Sequence, residues 1–243
     1  MNSKNAVLPS NYLILDPDFR RGVIASGPIL LGVIPFGITC GIMGLTAGLT
    51  PVETVLMSLL VFAGASQFIA ITMLGAGLSS WSVITLTTLL VNLRHMLMGA
   101  SLAKYLVKQP LSRQLILSFL LTDEAYAVTI SRIYQSGYSS AYHLGASLSM
   151  YVTWGLSTLT GVLVGGYIPD PLVWGLDFAM PATFLVLLFP RLTDRISLIV
   201  CVVSAIIAVL GAVYLPGKWY MIAACFGAVL VGGLLEGAKK HAQ

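Results

Sequence analysis

From Val23 to Leu235 the chain is one apolar run after another, broken by short polar interruptions. About 20 apolar residues suffice to cross a ~30 Å hydrocarbon core, and nothing between the runs is long enough to build a soluble domain. Only 9% of the 243 residues are charged, where soluble domains carry roughly 25%. The expected fold is an all-α polytopic membrane protein. It has a single membrane domain over 23–236, a cytoplasmic segment 1–22 and a cytoplasmic tail 237–243, so both termini lie in the cytoplasm.

Eight apolar segments fall at about 23–48, 54–74, 81–103, 114–133, 143–167, 172–189, 196–214 and 218–236. The first 22 residues, with Asp16, Asp18, Arg20 and Arg21, lack the basic, apolar and small-residue order of a cleaved signal peptide. The first apolar segment is therefore expected to act as an uncleaved insertion signal. The net charge of +4 sits in loops rather than on one face, a pattern that orients a membrane protein and does not recruit nucleic acid. Cys40, Cys201 and Cys225 are isolated in apolar segments, without metal or disulfide spacing. GxxxG spacings at Gly37/Gly41, Gly44/Gly48 and Gly161/Gly165 would let helix backbones approach closely.

If all eight segments crossed from a cytoplasmic N-terminus, the loop with Lys104, Lys108 and Arg113 and the loop with Arg191 and Arg195 would both lie outside. That breaks the positive-inside rule twice. Letting the second and sixth segments enter and leave on one side makes both loops cytoplasmic, together with Arg20, Arg21, Lys239 and Lys240, and leaves Arg132 and Lys218 outside. The same two segments resemble each other: Phe62-Ala63-Gly64-Ala65-Ser66-Gln67-Phe68-Ile69 aligns with Phe178-Ala179-Met180-Pro181-Ala182-Thr183-Phe184-Leu185. Each half, about 23–135 and 140–236, would then hold three crossings and one interrupted or re-entrant helix. An odd number of crossings inverts the second half relative to the first. In inverted-topology repeats the substrate site lies near the midplane, where interrupted helices free backbone groups.

In the first motif Gly64 would let the helix break, Ala65 and Ser66 would keep the break open, and Gln67 would offer a donor and an acceptor. In the second, Pro181 removes a helical hydrogen bond and Thr183 is the polar group. Free N–H groups at such breaks suit a carboxylate. Phe62, Phe68, Phe178 and Phe184 would line an aliphatic pocket. The competing reading is a continuous helix whose small residues pack on a neighbour, with Gln67 hydrogen-bonded locally.

Ionisable side chains at mid-span each cost ~2.5–3.5 kcal/mol on insertion scales. Asn92, Arg94 and His95 lie halfway along the third segment, Asp123 and Glu124 midway along the fourth, and Asp177 just before the second motif. Asn92 and His95 share a helix face and Arg94 points away from it, so one helix serves two neighbours. Arg94 is expected to pair with Asp123, Glu124 or Asp177, as a fixed lock or as a proton-coupled switch. A buried carboxylate is a natural proton carrier, and His95 is another candidate. No metal-binding, phosphate-loop or nucleophile motif occurs. Neither an enzyme nor a metal or other cofactor is expected, and a re-entrant-helix channel is the alternative to a carrier.

Five strings in this order, GVIPFGITCG from Gly32, FAGASQF from Phe62, NLRHMLMGASLA from Asn92, TDEAYAV from Thr122 and LDFAMPATFLVLL from Leu176, resemble the AzlC family of branched-chain amino acid permeases. That family includes YgaZ-type large subunits of valine exporters. The resemblance runs from about Gly22 to Gly237. It implies a protein of the bacterial cytoplasmic (inner) membrane that exports valine, leucine, isoleucine and methionine, driven by the proton gradient. It also implies a separate small membrane subunit similar to AzlD or YgaH. The amino acid would sit between the two breaks. Its carboxylate would meet Gly64–Gln67 or Pro181–Thr183, aided by Asn92 or Arg94, and its ammonium would meet backbone carbonyls, Gln67 or Asp177. Asp123, Glu124 or Asp177 would exchange the proton.

Overall fold

The computed structural model describes residues 14–78, 80–167, 185, 188, 189, 192, 194–215 and 219–241, and every regular element among them is helical. The chain forms two compact units, Met1–Ile84 with Val91–Asp177 and Thr85–Leu90 with Phe178–Gln243. In the first lie α1 (Pro17–Thr46), α2 (Pro51–Leu60), α3 (Gly64–Gly75), α4 (Trp81–Leu106), α5 (Leu111–Phe119), α6 (Asp123–Ser136) and α7 (Ser140–Gly165). Of these, α4 lends residues 85–90 to the second unit. The second unit contains α8 (Arg195–Tyr214) and α9 (Trp219–His241). Among the described residues α1, α4, α7 and α8 are long and apolar enough to cross a membrane. The chain is a multi-pass membrane protein.

The first unit is built on the α1–α7 pair, and glycine is what lets the two backbones touch. A Cβ on Gly22 would sit 2.2 Å from the Tyr142 carbonyl oxygen, one on Gly41 2.3 Å from that of Thr158, one on Gly145 2.2 Å from that of Phe19, and one on Gly161 2.1 Å from that of Ile38. Lipid tails are as apolar as leucine, so such close packing is the attraction that holds helices together in a bilayer. Two of the three expected glycine pairs, Gly37/Gly41 and Gly161/Gly165, lie in this seam. The third does not act as a pair. Gly44 packs on Thr54 of α2, while Gly48, at φ +89°, shapes the turn after α1.

These contacts also fix direction. Residue 22 meets 142, residue 38 meets 161 and residue 42 meets 165, so α1 and α7 run parallel. This corrects the inverted arrangement expected of the halves, which requires the two helices to be opposed. The physical reason lies in the fourth apolar segment, expected as a crossing. It is broken at Leu120–Thr122 into α5 and α6, and it turns back. Leu117 and Leu121 pack on Met98, Leu102 and Leu106 of α4, joined by Ile133 and Tyr138 beyond the turn. Tyr105 near the end of α4 stacks on Tyr138 at 5.2 Å. Arg132 meets Asp18 at the start of α1 at 3.6 Å.

The second apolar segment is likewise a hairpin, entering from the opposite end. α2 starts beside the end of α1, where Gly44 faces Thr54, and α3 returns there, with Gly75 next to Ala47. A capping box starts α2: Glu53 N–H donates to Thr50 Oγ1 and the Thr50 N–H donates to the Glu53 carboxylate. Because both hairpins turn back, Arg20, Arg21, Lys104, Lys108, Arg113 and Arg132 collect at one end of the unit. Arg132 is thus not the outlier that the segment count predicted. The sixth apolar segment lies almost wholly outside the described residues.

In the second unit α8 and α9 pair antiparallel: Gly211 lies against Tyr220, Gly227 against Ile207 and Gly232 against Val200. Asp194 caps α8 by accepting from the backbone N–H of Ser197, 3.1 Å away, and from its hydroxyl.

Candidate functional site

Both hairpin tips lie at the level where α4 and α7 reach their midpoints. At the first tip the chain leaves α2 through Phe62, whose φ is +45°, a left-handed conformation that a bulky side chain adopts only when its surroundings impose it. Phe62 is held by Tyr151, ring centroids 4.9 Å apart, and Phe119 of the other hairpin, 6.5 Å away. The backbone reversal expected at Gly64 is therefore made at Phe62. Gly64 instead allows contact with Trp154, whose ring lies 3.1 Å from where a Cβ would stand.

No side chain caps α3, so its first-turn N–H groups keep the free valence of any helix start. The following residues, Ala65, Ser66, Gln67 and Phe68, are all buried. Phe68 stacks on Phe36 at 4.5 Å, and Phe36 meets Trp154 edge-on at 5.6 Å. Both ends of the Gln67 amide are engaged inside the protein. Its Nε2 donates to Ser58 Oγ at 2.8 Å and its Oε1 accepts from Trp154 Nε1 at 3.1 Å, while Ser58 bonds Thr158 Oγ1 at 3.0 Å. The Gln67 amide therefore ties the hairpin to α7, with Tyr151 Oη donating to the Leu59 carbonyl at 3.0 Å beside it. Gln67→Ala would strand the Trp154 N–H in the core, while Ser58 keeps Thr158 as its partner. An unpaired buried polar group costs about 1–3 kcal/mol, so a drop of that size in unfolding free energy is expected from thermal melts in detergent.

The second tip starts α6. Thr122 is its N-cap, accepting from Ala125 N–H at 3.2 Å, and Asp123 and Glu124 occupy the first turn, where carboxylates complement the helix dipole. α4 reaches both tips. Ser66 Oγ donates to Asn92 Oδ1 at 2.8 Å, and Arg94 Nη1 bridges Asp123 Oδ2 at 2.5 Å. One helix thus clamps two helix N-termini that arrive from opposite ends of the bundle. The Arg94 Nε and the His95 Nδ1 are buried without hydrogen-bond partners among the described residues. Glu124 is half-buried.

Of the residues singled out in the sequence, the structure gathers Phe62, Gly64, Ala65, Ser66, Gln67, Phe68, Asn92, Arg94, His95, Asp123 and Glu124 around these tips. Asp177, Phe178, Pro181, Thr183 and Phe184 lie outside the described residues. Sequence reading missed Phe36, Phe119, Tyr151 and Trp154, which pack the tips. It also missed the second interruption, although Thr-Asp-Glu after an apolar run is a helix-start signal. Among the described residues no group of three or more His, Cys, Asp or Glu side chains is placed to hold a metal ion.

Residues 28–168, which span both hairpins and α7, match the AzlC protein family. The chain is 32% identical over 205 residues to inner membrane protein YgaZ of Escherichia coli, covering 81% of this chain and 82% of that protein. It is 39% identical over 179 residues to an uncharacterized membrane protein of Archaeoglobus fulgidus, covering 73% and 77%. It is 28% identical over 171 residues to the branched-chain amino acid transport protein AzlC of Bacillus subtilis, covering 70% and 66%. No solved structure matches the chain. The facing hairpins thus lie within the region that matches the family, and the chain belongs to the AzlC family.

Proposed function

We propose that the chain is a secondary transporter that exports branched-chain amino acids, with methionine as a further substrate, in exchange for protons. One observation carries the reading: two helix N-termini, brought from opposite ends of the bundle, are held at mid-depth by Asn92 and Arg94 of one helix. Helix starts attract carboxylates, and non-helical backbone at that depth is tolerated only where it is enclosed by protein or lines a watery cavity. The substrate carboxylate binds the first-turn amides of α3 at Gly64–Ser66, with Asn92 beside it. The ammonium is drawn to Glu124, and the aliphatic side chain packs among Phe62, Phe119 and Tyr151. Gln67 positions the tip without touching substrate.

Asp123 takes up a proton and releases Arg94, which frees the α5–α6 hairpin to move against α4. The name of the Bacillus subtilis relative supports the substrate class. The family resemblance supports export, a bacterial inner-membrane location and a small partner subunit similar to AzlD or YgaH, and the positive-inside rule supports a cytoplasmic basic end and cytoplasmic termini.

The test is valine counterflow in proteoliposomes with and without a pH gradient. Saturable uptake stimulated by unlabelled valine is expected, with KM raised about tenfold in Asn92→Ala, the scale of one lost hydrogen bond to a charged group. Flux linear in valine and blind to trans substrate would mark a channel and overturn the reading.

A further inference from the structure

At the basic end of the first unit, the start of α5 carries a charge that no carboxylate among the described residues balances. Arg113 is only 5% exposed. Its Nη1 donates to Gln109 Oε1 at 3.1 Å, just ahead of the helix, so the guanidinium lies at the α5 N-terminus. Its Nε and Nη2 are buried with no hydrogen-bond partner among the described residues. A buried cation without a carboxylate is among the most unfavourable arrangements a fold can keep.

Among the described residues the carboxylates at this end are elsewhere engaged, and Asp16 caps α1 by accepting from the Asp18 N–H at 2.8 Å. Asp18 holds Arg21 at 2.9 Å and Arg132 at 3.6 Å. Pro110 precedes α5 and no side chain caps the helix; its carbonyl accepts from the N–H of Arg113 at 3.0 Å and of Gln114 at 3.1 Å, which leaves the amides of Leu111 and Ser112 available. Around it stand Lys104, whose Nζ lies 5.0 Å from the centre of the Tyr105 ring, Lys108 in the α4–α5 turn, and Tyr138 stacked on Tyr105. Burial pushes the Tyr138 hydroxyl well above its usual range, and the positive charge of Arg113 pulls it back. The outer face of α5 is apolar and exposed at Leu111, Leu115, Ile116 and Phe119, as befits a helix lying against acyl chains.

We propose that the start of α5 is a binding site for the phosphate of an anionic phospholipid. The phosphate replaces the neutral Gln109 oxygen as acceptor for Arg113, a charge-assisted exchange, and takes the free α5 amides as an anion at a helix start does. Lys104 and Lys108 supply the long-range attraction typical of basic clusters at a membrane surface. The acyl chains lie along the exposed leucine and phenylalanine face.

The full chain, purified in neutral detergent, would be titrated with phosphatidylglycerol and with phosphatidylcholine, following bound lipid by native mass spectrometry and melting temperature. Phosphatidylglycerol is expected to be retained more tightly than phosphatidylcholine and to raise the melting temperature. Arg113→Gln is expected to weaken phosphatidylglycerol retention about tenfold without changing that of phosphatidylcholine. Arg113→Lys, which keeps the charge and guards against misfolding of the glutamine variant, should recover part of the loss, and Gln109→Ala should retain the lipid fully. Three results would each overturn the proposal: equal retention of both lipids by the unaltered protein, an equal loss in Arg132→Gln, or protection by inorganic phosphate or valine as strong as that by phosphatidylglycerol.

Discussion

Gly161→Ala is expected to cost ~3 kcal/mol or more in stability, at the upper end of what overpacking does, while Gly32→Ala on α1 leaves stability unchanged or slightly improved. The difference is geometric. A methyl on Gly161 meets the Ile38 carbonyl oxygen at 2.1 Å, a backbone atom that no rotamer change can move, whereas one on Gly32 meets nothing within 4 Å. In a helix interior alanine is otherwise favoured over glycine by about 0.5–1 kcal/mol, so Gly32→Ala moves in the opposite direction. Gly41→Ala, facing the Thr158 oxygen at 2.3 Å, should behave as Gly161→Ala does. Melting in detergent, with size-exclusion profiles before and after heating, reads the contrast. Similar melting temperatures for Gly161→Ala and Gly32→Ala would mean that α1 and α7 do not meet as described.

That seam also shows how far the sequence could be read. The apolar runs specified membrane helices, and glycine spacing marked the α1–α7 contact, because both signals are local. The first interruption was legible for the same reason: Gly-Ala-Ser-Gln is out of place in an apolar run. What makes the interruption was not legible, since a phenylalanine at φ +45° has no compositional signature and is imposed by Tyr151 and Phe119.

The second interruption was written in Thr122-Asp123-Glu124, an N-cap followed by first-turn acids. Read as charges buried within a crossing, the same three residues give one crossing too many, put Arg132 on the wrong side and invert the second half. One local feature thus decided the topology. Gln67 failed differently. Its partners include Trp154, 87 residues away, and no local pattern tells a glutamine that binds a ligand from one already satisfied by a distant helix.

Neutralising either member of the Arg94–Asp123 pair is expected to destabilise the protein by roughly 2 kcal/mol, and neutralising both to restore most of that loss. Breaking a fully buried pair leaves an uncompensated charge and costs about 3–5 kcal/mol. Here the side chains are 35% and 17% exposed, so water recovers part of it. The two single variants should differ. Asp123 left alone still sits in the first turn of α6, where the helix dipole contributes about 0.3–1 kcal/mol. Arg94 left alone lies in the middle of α4, with its Nε already buried and unpaired, so Asp123→Asn should be the more damaging. Unfolding free energies of the two single variants and the double variant close the cycle. The double variant then separates the two roles open to the pair. A lock that only joins α4 to α6 has become dispensable, and valine transport would respond to a pH gradient as before. A proton-coupled switch has lost its titrating group, and the double variant would fold, exchange valine for valine, and ignore the gradient. The second outcome is expected, because a lock has no need of a carboxylate at the mouth of a helix whose neighbour, Glu124, already supplies the charge that the dipole favours.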